Sequence, residues 1–113
     1  MTIKEKINSS LTYFDGGMGT LLQNAGLMPG ELPESWNLTH LDIITGIHLD
    51  YLKAGANVLT ANTFGANCLK FRNLDEIIGA AIRNARRAIE LVEESKDRFV
   101  AFDMGPLGKM LAT

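Results

Sequence analysis

The chain has 113 residues, 46% of them hydrophobic and 21% charged, and a net charge of −2. That is enough for one domain with a buried core, and the charge balance gives no electrostatic basis for nucleic acid or an anionic membrane as a partner. A single cysteine, Cys68, excludes an intrachain disulfide, no apolar run is long enough to span a membrane, and the leader with Lys4, Glu5 and Lys6 lacks a secretory apolar stretch, so a cytoplasmic protein is expected.

Residues 1–10 read as a short helix or frayed leader. Leu11 to Phe14 is a short apolar run before a glycine-rich turn, which favours a buried strand. A helix from about Thr20 should stop at Gly26, and Pro29, Gly30 and Pro33 mark an irregular loop. Thr39 offers an N-cap with Asp42 three residues on; Leu41, Ile44, His48, Tyr51 and Leu52 then share a helical face that Gly55 ends. Asn57 to Asn62 reads as a second strand. Asn73 can cap a helix with Glu76 at the reciprocal position, and Ile78, Ala81, Ile82, Ala85, Ala88, Ile89 and Val92 keep its period. A polar connection, Ser95 to Arg98, leads to a third strand, Phe99 to Phe102. Strands alternating with helices predict parallel βαβ units with right-handed crossovers.

Polar residues cluster where the predicted strands end: Asp15, Asn62, Thr63 and Asp103. In parallel α/β folds that edge carries the active site. In the turn Asp15-Gly16-Gly17-Met18-Gly19, glycine permits positive φ and close approach of a ligand, free N–H groups attract a carboxylate, and Asp15 offers a counter-charge to an amine. The same residues also suit a plain strand-to-helix turn. Gly17-Met18-Gly19 opens a dinucleotide-binding pattern, but Leu22 stands where its third glycine must be, and Asn62 and Thr63 replace the ribose-binding acid. Arg83, Arg86 and Arg87, with Glu90, Glu93 and Glu94 nearby, read as a solvated face with pairs at helical spacing. His40 and His48 fit capping and packing better than metal binding, and Cys68 reads as a small packing residue.

Three segments in register carry a resemblance: Asp15-Gly16-Gly17-Met18-Gly19-Thr20; Ala54-Gly55-Ala56-Asn57-Val58 running to Asn62-Thr63-Phe64; and Asp103-Met104-Gly105-Pro106-Leu107-Gly108. Together they resemble the amino-terminal part of the homocysteine S-methyltransferase family, and within it the cobalamin-dependent branch. The resemblance implies an α/β fold made of the first three β/α units of a (β/α)8 TIM barrel, incomplete, with residues 1–113 as the amino-terminal part of a homocysteine-binding domain. It implies that Asp15, Gly16 and Gly17 bind homocysteine, with Asn62 and Thr63 lining the same pocket. It further implies a zinc ion that activates the sulfur, held by three cysteines beyond Thr113, and a methyl donor supplied as methylcobalamin charged from methyltetrahydrofolate by other modules. S-adenosylmethionine, S-methylmethionine and betaine stay open as donors. On this reading the chain alone is inactive. Asp103 is as compatible with a structural turn, Leu107 departs from the family's threonine, and Trp36 lies in a loop where betaine-using relatives carry a tryptophan. A small α/β binding module working without catalysis is the competing reading.

Overall fold

The computed structural model describes residues 2–9, 11–92 and 98–105. Its elements in chain order are α1 (Ile3–Ser9), α2 (Gly19–Asn24), a 3-10 turn (Pro33–Ser35), α3 (Trp36–Thr39), α4 (Leu41–Lys53), β1 (Val58–Thr60), α5 (Leu74–Leu91) and β2 (Phe99–Ala101). Strands β1 and β2 pair in parallel, with Val58 opposite Phe99 and Thr60 opposite Ala101. The other edge of β1 meets Phe14 in a single parallel bridge. The parallel α/β expectation therefore holds.

The expected first strand does not form as a buried element. Leu11 to Phe14 is tied to β1 at only a few points: Asn57 N–H donates to the Tyr13 carbonyl at 2.7 Å, Tyr13 N–H to Asn57 Oδ1 at 3.0 Å, and Asp15 N–H to the Val58 carbonyl at 3.0 Å. Leu11, Tyr13 and Phe14 are exposed, because among the described residues no second strand or helix covers that segment.

Two helix ends follow directly from glycine. Gly26 and Gly55 adopt positive φ (115° and 108°), which costs glycine nothing and lets the Leu27 and Ala56 N–H groups close the last turns of α2 and α4 on the carbonyls of Leu22 and Tyr51. The starts depart from expectation. Thr39 does not cap α4, because a one-turn helix precedes it and the Thr39 hydroxyl donates to the Ser35 carbonyl; His40 holds the cap position without a side-chain capping bond. Asn73 does hold the cap position of α5, but its side chain makes no capping bond.

The core has two parts. Leu22, Leu27, Trp36 and Ile44 join α2, α3 and α4, whereas Leu52, Leu59, Ala85 and Ala88 join α4, β1 and α5. The buried stripe of α5 runs through Ile77, Ala80, Ala81, Asn84, Ala85 and Ala88, while Ile78, Ile82 and Ile89 are only half-buried. Small side chains thus face the tightest contact, where a helix must approach its neighbours closely, and the branched residues flank it. Arg83, Arg86, Arg87 and Glu90 are exposed as expected, but they form no ion pair among the described residues, and Glu93 and Glu94 lie outside those residues. So do Pro106, Leu107 and Gly108. No helix is long and apolar enough to cross a membrane among the described residues.

Candidate functional site

A cavity of ≈ 370 Å³ opens at the carboxyl ends of β1 and β2 and of the segment ending at Phe14. Asp15, Gly16, Gly17, Asn62 and Thr63 all line it, as does Asp103. The topology thus brings the sequence-predicted residues together, although many residues separate them along the chain.

The polar side chains are held in different ways. Asp15 is fastened to β1: Oδ2 accepts the Thr60 N–H and Oδ1 the Thr60 hydroxyl, each at 2.8 Å. Gly16 is glycine because of close approach rather than positive φ, since a Cβ there would meet the Tyr51 hydroxyl at 2.8 Å. That hydroxyl donates to the Gly17 carbonyl at 2.7 Å and so anchors the turn to α4. The N–H groups of Gly16 and Gly17 have no acceptor among the described residues.

Asn62 turns its amide away into a buried network. Its Nδ2 donates to the Pro33 carbonyl and to Asn37 Oδ1, both at 3.0 Å, Asn37 Nδ2 donates back to the Asn62 carbonyl at 2.9 Å, and Asn84 Nδ2 reaches the Asn37 carbonyl at 3.0 Å. Thr63 clips the strand ends together: its hydroxyl donates to the Asp103 carbonyl at 2.7 Å and accepts the Asp103 N–H at 3.0 Å. Asp103 is thereby placed at the cavity through its backbone.

Sequence reasoning misses Glu34, which lines the same cavity although its residue is 4% exposed. Its Oε2 accepts the Gly65 N–H at 3.1 Å. It also misses Tyr51 as the anchor of the turn, and Asn37. Asn84 does leave a signal, as a polar residue amid the alanines of the buried α5 stripe.

The remaining candidates sit elsewhere. Trp36 is in the core, with its indole N–H donating to Glu31 Oε2 at 3.1 Å and its ring stacked on His40 at 4.0 Å. The Met28 N–H and then the Trp36 indole hold the Glu31 carboxyl below its ordinary value. His40 is exposed, with Nδ1 at 2.8 Å from the Thr39 hydroxyl. His48 is fully buried, and neither ring nitrogen has a partner in the structure. Burial pushes its pKa down to about 4 against the opposing pull of the Asp15 charge. Cys68 is exposed rather than packed. No group of three His, Cys, Asp or Glu side chains among the described residues could hold a metal ion, so these residues do not fit a zinc site.

Among the described residues the cavity therefore presents carboxylates, two unengaged backbone N–H groups and no cationic side chain. That combination offers partners to a ligand carrying both an ammonium group and a carboxylate.

The chain is similar to known proteins. The family model described as Homocysteine S-methyltransferase matches residues 12–113. Methionine synthase of Mycobacterium tuberculosis is 36% identical over 111 residues, covering 85% of this chain and 9% of that protein. Homocysteine S-methyltransferase 3 of Arabidopsis thaliana is 29% identical over 111 residues, covering 86% of this chain and 31% of that protein. Among solved structures, the metallated form of the homocysteine methyltransferase MmuM from Escherichia coli is similar with a TM-score of 0.75 at 23% identity, covering 94% of this chain and 42% of that one. At that identity the likeness is one of fold. The chain spans less than half the length of each of these relatives.

Proposed function

This chain belongs to the homocysteine S-methyltransferase family, and from that premise we propose that its cavity binds homocysteine for methylation to methionine. The observation that carries the reading is the convergence of Asp15, Gly16, Gly17, Asn62 and Thr63 on one cavity at the strand ends. In this reading the Gly16 and Gly17 N–H groups receive the amino-acid carboxylate, the Asp15 charge lies near its amine, and Asn62 and Thr63 shape the wall between them. The fastening of Asp15 to Thr60 means that the charge is fixed before the ligand arrives, which lowers the ordering cost of binding.

We further propose that the described elements belong to the first three β/α units of a (β/α)8 barrel completed by sequence outside this chain. Zinc supplies a thiolate in place of a weakly nucleophilic thiol when it is bound. Its ligands would come from outside the described residues, and the residues here bind and orient the amino acid. The proposed donor is methylcobalamin charged from methyltetrahydrofolate. Transfer assays on the intact protein offering methylcobalamin, S-methylmethionine, S-adenosylmethionine or betaine separate the donors, and the 113-residue chain by itself is expected to transfer no methyl group from any of them.

Asp15→Asn tests the site. The amide can keep both bonds to Thr60, accepting from its N–H and donating to its hydroxyl, so the change removes charge and spares geometry. A charge-assisted hydrogen bond is worth ~1.5–3 kcal/mol, so calorimetry on the intact protein should show homocysteine binding weakened about tenfold or more. Unchanged affinity would confine Asp15 to holding Thr60.

A further inference from the structure

We infer that Glu34 is a specificity residue of this cavity: its carboxylate takes the ammonium group of the ligand and selects a free amino acid over a thiol without the amine. The inference rests on the homocysteine reading and adds a residue to it. Glu34 is 4% exposed and lines the cavity. A carboxylate that far from water is costly unless a positive charge or several hydrogen bonds compensate it. Compensation from the protein is partial, since the Gly65 N–H satisfies Oε2 and no other described group bonds the side chain. Oε1 has no hydrogen-bond partner, yet it is not among the polar atoms sealed from solvent. Among the described residues no Lys, Arg or His lines this cavity. On this inference the ammonium group of the ligand supplies the positive charge that the described lining lacks.

The number of donors points the same way. An ammonium group carries three N–H donors, and each Asp15 oxygen already accepts one bond from Thr60. Asp15 supplies fixed charge near the amine, and Glu34 supplies an oxygen with no competing partner. The carboxylate lies close against the backbone at Gly65, where a Cβ would meet Glu34 Oε1 at 2.8 Å and displace it. Proline at position 33 opens the 3-10 turn that carries Glu34 and also gives its carbonyl to Asn62, so the carboxylate and the end of β1 are held in one frame.

The test compares two thiols, homocysteine and its des-amino analogue 4-mercaptobutanoate, by calorimetry on the intact protein carrying this chain. The wild type should bind homocysteine at least about tenfold more tightly. Glu34→Gln keeps an acceptor for the Gly65 N–H but turns an N–H₂ donor on the ammonium. It should lose about tenfold or more in homocysteine affinity while 4-mercaptobutanoate changes by less than about twofold. Glu34→Asp, which keeps the charge, should retain the preference for the amine. Equal losses for both thiols, or a preference undiminished in Glu34→Gln, would reduce Glu34 to a structural clamp on Gly65 and overturn the inference. A wild type that binds the two thiols equally overturns it without any variant, so a poorly folding Glu34→Gln leaves the question decidable. A wild type that binds neither thiol removes the homocysteine reading itself, and the inference falls with it.

Discussion

At the scale of single residues, the most consequential group outside the cavity wall is His48. Its ring is fully buried and unpartnered, and its pKa of about 4 lies below the ordinary imidazole value of 6.5. The unfolded chain therefore takes up a proton near pH 6.5 that the native state refuses until about pH 4. The contribution to stability is complete above pH 6.5 and is lost as pH falls through this window. Between pH 7 and pH 5 the loss should be about 2 kcal/mol. Urea melts at the two pH values measure it, and His48→Leu should flatten the difference; a slope that persists in the variant belongs to other groups. The Asp15 charge pulls against burial at His48, so the cavity wall and the core are electrostatically linked. At this scale the sequence shows which residues gather but not how each is used. The family pattern and the strand-end rule point to Asp15, Asn62 and Thr63. Nothing in a linear pattern shows that the Asn62 amide is spent on Pro33 and Asn37, or that Glu34 reaches the same cavity, because those facts depend on a loop with no period.

At the scale of elements, α5 is the piece on which the packing depends. Its alanine stripe sits against Leu52 of α4 and Leu59 of β1. Ala85 is fully buried, so Ala85→Leu must push α5 off its neighbours and should destabilise the protein by ~1–3 kcal/mol. A thermal or denaturant melt reads this directly, and a neutral result would mean that the contact between α4 and α5 is slack. The helix itself is legible because its apolar period is strong, and α2 and α4 end where Gly26 and Gly55 say they should. The predicted face is rotated from the observed one because periodicity weighs bulky Ile78 and Ile82, whereas close packing selects the small residues beside them. The strands are the weak point of the reading. β1 and β2 form with three residues each, inside the predicted spans, and Leu11 to Phe14 pairs only at Phe14. A strand is defined by its partners, and an apolar run alone does not say who they are.

At the scale of the whole molecule, the described part is a slab rather than a ball. Its extents are 42 × 37 × 23 Å, and its radius of gyration of 14.9 Å exceeds the about 13 Å of a compact chain of this length. Large apolar side chains lie open, among them Leu11, Phe14, Phe64 and Met104, and Phe14 and Phe64 flank the residues of the candidate site. The 113-residue chain on its own should accordingly bind a hydrophobic dye and self-associate, as size-exclusion chromatography at rising concentration would show. A compact monomer with a cooperative melt and no dye binding would instead support a module that works alone. The parallel order of the three extended segments has a consequence for synthesis. Tyr13 meets Asn57 across 44 residues, and Thr63 meets Asp103 across 40. Each new pairing thus closes a loop of nearly the same length onto the strand just made, and the entropic cost of closure barely changes from one step to the next. A chain leaving the ribosome can lay down this sheet in the order in which it is translated, each strand waiting for its successor and none for a distant terminus.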